Sequence, residues 1–167
     1  MLNNDLSQQI KRNFPYKPTE EQENAVKSFA EFLFSPSADS VFLMKGYAGR
    51  GKTTLTSALV RTLDSLQRKV ILLAPTGRAA KVFSGYAEHP AYTIHKKIYR
   101  QKVFSNETDN FVANQNLHRN TLFIVDEASM IANEGLSGGH FGSGRLLDDL
   151  VQYVYNLSLI HIRCRRS

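Results

Sequence analysis

The sequence predicts an α/β protein, a parallel sheet flanked by helices, and three observations carry that expectation. Three short apolar runs, VFLM, KVILLA and TLFIV, read as strands, and KVILLA is continuously apolar and rich in branched residues as a buried strand is. Apolar residues around them recur at helical spacing. A glycine-rich loop joins the first run directly to a helical segment. Buried strands alternating with helices imply a parallel sheet covered by helices. Three strands are few for such a sheet, so the domain is expected to be incomplete, with edges where later strands would add.

Taken in order, residues 1–17 form a polar lead-in, in which Pro15 and Pro18 just beyond it discourage a helix. Thr19-Glu20-Glu21-Gln22 has capping-box spacing, and Ala25, Val26, Phe29, Ala30 and Leu33 then share one helical face. Residues 35–40, with Pro36, end that helix, and 41–44 form a short strand. A second helix is expected over 52–67 with Leu55, Leu59, Val60 and Leu63 inward, followed by a strand at 69–74. Pro75-Thr76-Gly77 turns the chain into a short helix around 78–84. Residues 99–120, polar and Asn-rich, read as a hairpin-like excursion or loop, and 121–125 as a third buried strand ending at Asp126-Glu127. The glycine-rich stretch 133–144 reads as a flexible connector; its GHFGSG lacks the spacing and the preceding strand of a dinucleotide fingerprint. Leu146, Leu147, Leu150, Val151 and Val154 mark a final amphipathic helix.

The 167 residues are 42% apolar and 22% charged, an ordinary soluble composition. No apolar run reaches membrane-spanning length, the start lacks a signal-peptide core, and the single cysteine, Cys164, excludes an internal disulfide framework. A cytoplasmic protein without membrane contact is expected. The net charge of +6 is concentrated at the end: without residues 158–167, Lys plus Arg falls from 21 to 18 against 15 Asp plus Glu, leaving +3. Basicity of that size is compatible with nucleic-acid binding without establishing it. The tail LSLIHIRCRRS is either a native basic terminus or a non-native addition; it resembles a translated library adapter, and 158–167 are set outside the fold argument.

Gly46-Tyr47-Ala48-Gly49-Arg50-Gly51-Lys52-Thr53 matches G-x-x-x-x-G-K-[ST] in full, so residues 41–54 read as a phosphate-binding loop between strand and helix. Glycines let successive backbone N–H groups close on phosphates, Lys52 reaches the β- and γ-phosphates, and the Thr53 hydroxyl can ligate Mg²⁺. The helix N-terminus adds its positive dipole. The bland alternative is a glycine turn that binds nothing. Asp126-Glu127 ends the third strand, where parallel sheets bind ligands: Asp126 would hold Mg²⁺ and Glu127 would orient or deprotonate the attacking water. The bland alternative there is a pair of solvated acids.

In this order GYAGRGKTT, LLAPTGRAA, YTIHKKIY and IVDEASMI resemble motifs I, Ia, Ib and II of the RecD-like branch of superfamily 1 DNA helicases, over roughly residues 18–156. The resemblance implies a partial N-terminal RecA-like P-loop ATPase domain over 18–157 that uses ATP and Mg²⁺ and moves 5′-to-3′ on single-stranded DNA. It assigns catalysis to Lys52, Asp126 and Glu127, and nucleotide binding to Gly46, Gly49, Arg50, Gly51, Lys52, Thr53, Thr54 and Gln22. Gln22 matches the adenine-reading glutamine, a role that can coexist with capping. Thr53 and Asp126 are the expected Mg²⁺ groups. Thr76, Gly77 and Arg78 match the DNA-backbone motif, against the alternative of a plain strand-to-helix turn, and His95 matches motif Ib, against a structural histidine. Lys96 and Lys97 read as solvated charges.

The resemblance also predicts a strand after Asn156 with a γ-phosphate-sensing glutamine, then a second domain with an arginine finger; these 167 residues carry neither motif. Such a finger is worth about 10³–10⁵ in rate, so this chain should bind nucleotide better than it hydrolyses it. Two other functions stay open: a stand-alone P-loop ATPase or small kinase, for which no acceptor site is recognisable, and a non-catalytic nucleotide-binding module.

Overall fold

The computed structural model describes residues 2–35, 40–47, 49–101, 111–131, 142–155 and 160–166. The chain opens with α1 (Leu2–Arg12) and α2 (Glu20–Leu33), then runs β1 (Val41–Gly46), α3 (Lys52–Ser65), β2 (Lys69–Ala74) and α4 (Gly77–Ala87). A short β3 (Ala91–Thr93) and α5 (Ile94–Ile98) lead into the hairpin β4 (Tyr99–Gln101) and β5 (Phe111–Ala113). Then come β6 (Thr121–Val125), a 3₁₀ turn at Ala128–Met130, α6 (Leu146–Tyr155) and β7 (Ile160–Arg166).

The main sheet has five strands in the order β1-β7-β6-β2-β3, every neighbouring pair parallel. Alternate residues of β2 and β6 face opposite layers. Val70, Leu72, Leu122 and Ile124 join Val26, Phe29, Leu59, Val60 and Phe83 from the helices α2, α3 and α4. Ile71, Leu73, Phe123 and Val125 join Ile94, Ile98, Leu150 and Tyr153 on the other face. Burial on both faces explains why these strands are continuously apolar. The carboxyl ends of β1, β6, β2 and β3 consequently all open on one edge.

The helices over 20–33 and 52–65, and the strands at 69–74 and 121–125, stand where their patterns place them. Thr19 caps α2 with the complete reciprocal box to Gln22. The excursion over 99–120 contains the expected hairpin, while 102–110 and most of the connector at 133–144 lie outside the described residues.

Four expectations are corrected. The lead-in contains a helix: Leu6 and Ile10 of α1, and Phe14 just beyond it, are buried in the core with α2 and α3. The sheet has five strands rather than three, because β3 is only three residues long and β7 comes from the tail set aside. The tail therefore does not lie outside the fold: β7 pairs with both β1 and β6, and its partly charged sequence departs from the apolar run usual at a central position. In α6, Val151 is 40% exposed and Tyr153 takes the inward place.

Candidate functional site

The phosphate-type loop leaves the end of β1 and enters α3. Gly49 and Gly51 have φ of 78° and 74°, in the left-handed region where a side chain is strained. At Gly51 space is also closed, since a Cβ would run into Nε2 of Gln22. Gly51 is the N-cap of α3 and supplies no side-chain cap, so the first amides of the helix are left for another acceptor. The Lys52 ammonium donates to the carbonyls of Gly46 and Tyr47, the latter at 2.7 Å, and so lies folded over its own loop. A hollow of about 390 Å³ lined by Gln22, Ala25, Met44, Gly46, Tyr47 and Lys52 adjoins it.

A second hollow of about 440 Å³ lies alongside, lined by Tyr16, Thr19, Gln22, Gly49, Arg50 and Gly51. Gln22 is buried between the two. Its Oε1 accepts from the Thr19 amide at 3.0 Å, and its Nε2 donates to the Gly51 carbonyl at a long 3.5 Å. Capping and contact with the loop therefore coexist in one side chain. Arg50 pairs with Glu21 at 3.6 Å on the surface, and the Tyr16 hydroxyl donates to the Thr54 hydroxyl at 3.1 Å. Tyr16 gave no local sequence signal; only the tertiary fold brings it to the loop.

Asp126 and Glu127 follow β6 at the same edge of the sheet. Asp126 Oδ1 accepts from the Glu127 amide at 2.9 Å, and Oδ2 accepts from the Tyr86 hydroxyl at 2.6 Å. Glu127 has φ of 51°, a left-handed backbone for a non-glycine residue. Such conformations cost of order 1–3 kcal/mol and cluster at functional sites.

Thr76, Gly77 and Arg78 are exposed at the end of β2, and His95 follows β3, the strand beside it. Thr76 Oγ1 accepts from the Ala79 amide at 3.1 Å and caps α4, so its hydroxyl has a structural task. His95 is half-buried with its ring 5.8 Å from that of Tyr99, and burial pushes its pKa below the ordinary histidine value. Lys97 is not a simple solvated charge: its ammonium stands 5.3 Å from the Tyr92 ring centre, and burial lowers its pKa.

A glycine loop between strand and helix, its lysine, and a carboxylate pair ending a buried strand of the same sheet define a P-loop nucleotide-binding domain. Residues 17–138 match the family model described as an AAA domain. Over 108 residues the chain is 32% identical to the multifunctional conjugation protein TraI of Escherichia coli (strain K12), a match covering 60% of this chain and 6% of TraI. Over 139 residues it is 27% identical to the uncharacterized protein MJ1519 of Methanocaldococcus jannaschii, covering 77% of this chain and 11% of that protein. The chain belongs to the AAA domain family and is a superfamily 1 helicase-like ATPase domain. It spans only a small part of these relatives. Among the described residues, no helix is long and apolar enough to cross a membrane.

Proposed function

We propose that this chain is the ATP-binding part of a RecD-like, ATP-dependent DNA helicase moving 5′-to-3′, with its nucleotide and nucleic-acid groups on one edge of the sheet. The observation that carries this reading is that shared edge: Lys52 after β1, Asp126-Glu127 after β6, Thr76–Arg78 after β2 and His95 after β3. ATP phosphates would displace the Gly46 and Tyr47 carbonyls from Lys52 and take the free amides at the start of α3. Gly46, Gly49 and Gly51 shape that cradle, and Arg50 and Thr54 flank it. Gln22 would read adenine from the hollow it shares with Tyr16.

The oxygen donors suit Mg²⁺, which binds one or two protein oxygens together with substrate phosphates. Thr53 and Asp126 would hold the ion, which neutralises charge on the phosphates. Glu127 would orient the attacking water. Arg78, with the amides around Gly77, would hold a single-stranded DNA backbone without reading sequence, and His95 would assist. Taken alone, the chain should hydrolyse ATP slowly, because no arginine finger is recognisable among its motifs. Residues 158–167 are still read as non-native, since strand pairing uses backbone groups that any sequence carries.

The test is the ATPase of a version extended past Asn156. Stimulation by single-stranded DNA, abolished by Glu127→Gln, is the expected result. Full turnover after Lys52→Ala, or phosphate transfer to a small molecule without DNA, would exclude the helicase reading.

A further inference from the structure

Tyr86 lies outside every motif named above, yet its hydroxyl makes the shortest described hydrogen bond to the carboxylate pair, 2.6 Å to Asp126 Oδ2. Three contacts fix it. Its ring stacks on the buried Phe83 at 5.2 Å and 28°. Its carbonyl accepts from the Ser57 hydroxyl of α3 at 2.5 Å, tying α4 to the helix that carries Lys52. With the Glu127 amide on Oδ1, the Tyr86 hydroxyl on Oδ2 sets the Asp126 carboxylate from both sides.

We infer that Tyr86 is a positioning residue: it holds Asp126 in the orientation in which that carboxylate meets Mg²⁺-nucleotide. The inference rests on the reading of Asp126 as the Mg²⁺ carboxylate. Groups that orient a metal-binding carboxylate through hydrogen bonds typically change metal affinity by about 10–100-fold when removed. Tyr86 also stands eight residues after Arg78 on the same helix, about 12 Å along its axis. Thus α4 carries an exposed guanidinium at one end and the anchor of the carboxylate near the other.

The experiment follows binding of a fluorescent ATP analogue by the whole 167-residue chain, first in EDTA and then across a Mg²⁺ titration. Tyr86→Phe keeps the ring on Phe83 and removes only the hydroxyl. Unchanged affinity in EDTA with a Mg²⁺ midpoint about tenfold higher is expected. On an Asp126→Asn background, Tyr86→Phe should add nothing further. A metal-free readout accompanies it: hydrogen exchange of the Glu127 amide, bonded to Asp126 Oδ1, should quicken in Tyr86→Phe. An unchanged Mg²⁺ midpoint in Tyr86→Phe beside a shifted one in Asp126→Asn overturns the role of Tyr86 alone. An unchanged midpoint in Asp126→Asn overturns the metal reading beneath it. Loss of binding in EDTA would make Tyr86 a structural support, and the inference would fail.

Discussion

The loop after β1 and the PTGR turn after β2 are both strand-to-helix junctions on the same edge of one sheet, yet they are finished differently. The first ends in Gly51, left-handed and without a side-chain cap, with Lys52 folded onto its own carbonyls. The second ends in Thr76, whose hydroxyl caps α4. The amides at the start of α3 still need an acceptor, and those of α4 are partly satisfied. On the proposed reading, the first junction is open to an anionic guest. At the second, the proposed recognition would fall to what projects beyond the cap, above all the exposed Arg78.

Substitutions at the two junctions should therefore diverge. The largest effect is expected at Gly51→Ala. Left-handed strain costs about 1–3 kcal/mol, and the clash with Gln22 Nε2 adds to it. A lower unfolding midpoint with nucleotide binding lost is the predicted result; wild-type binding would show that the loop tolerates a side chain. Thr76→Ala should cost about 1 kcal/mol of stability, the usual value of an N-cap, and leave nucleotide affinity intact. A silent Thr76→Ala in denaturant melts would return that hydroxyl to a purely DNA-facing role. Arg78→Ala should stay within about 0.5 kcal/mol in stability. Its single-stranded DNA binding should weaken at low salt, with a salt slope smaller by about 1. Equal slopes for the two proteins would remove Arg78 from the nucleic-acid surface.

A further effect lies away from both junctions. Burial opposes the charge of Asp149, but donors from the Tyr99 hydroxyl and from the Ser143 hydroxyl and amide outweigh it and hold its pKa below the ordinary value. Because the folded value is depressed, the stabilisation is complete above the unfolded carboxylate pKa and is lost as pH falls through the folded value. Asp149→Asn should lower stability by at most about 1 kcal/mol near neutrality and flatten its decline in acid. Parallel pH profiles for variant and wild type would contradict that account.

The comparison also explains what was legible in the sequence. Gly49, Gly51 and Lys52 announce themselves because a left-handed backbone and a phosphate-reaching ammonium each demand one residue type. The strands at 69–74 and 121–125 are legible because burial on both faces leaves only apolar residues. Helix α1 was hidden because its inward Leu6 and Ile10 stand four apart among Asn, Gln and Ser, with Pro15 close behind. The strand β3 and helix α5 are too short for a period to show, and β7 lacks an apolar pattern. Tyr16 and Tyr86 reach the site through contacts 38 and 40 residues distant in sequence, which no local pattern records.

The most direct test of the central claim is calorimetric titration of Mg²⁺-ATP into this 167-residue chain beside Lys52→Ala. Saturable one-to-one binding by the wild type, with affinity reduced at least about tenfold in the variant, is the predicted result, corresponding to 1.4 kcal/mol or more for the lysine–phosphate contact. Equal affinity for both proteins, or no heat from either, would contradict the account of the loop as the nucleotide site.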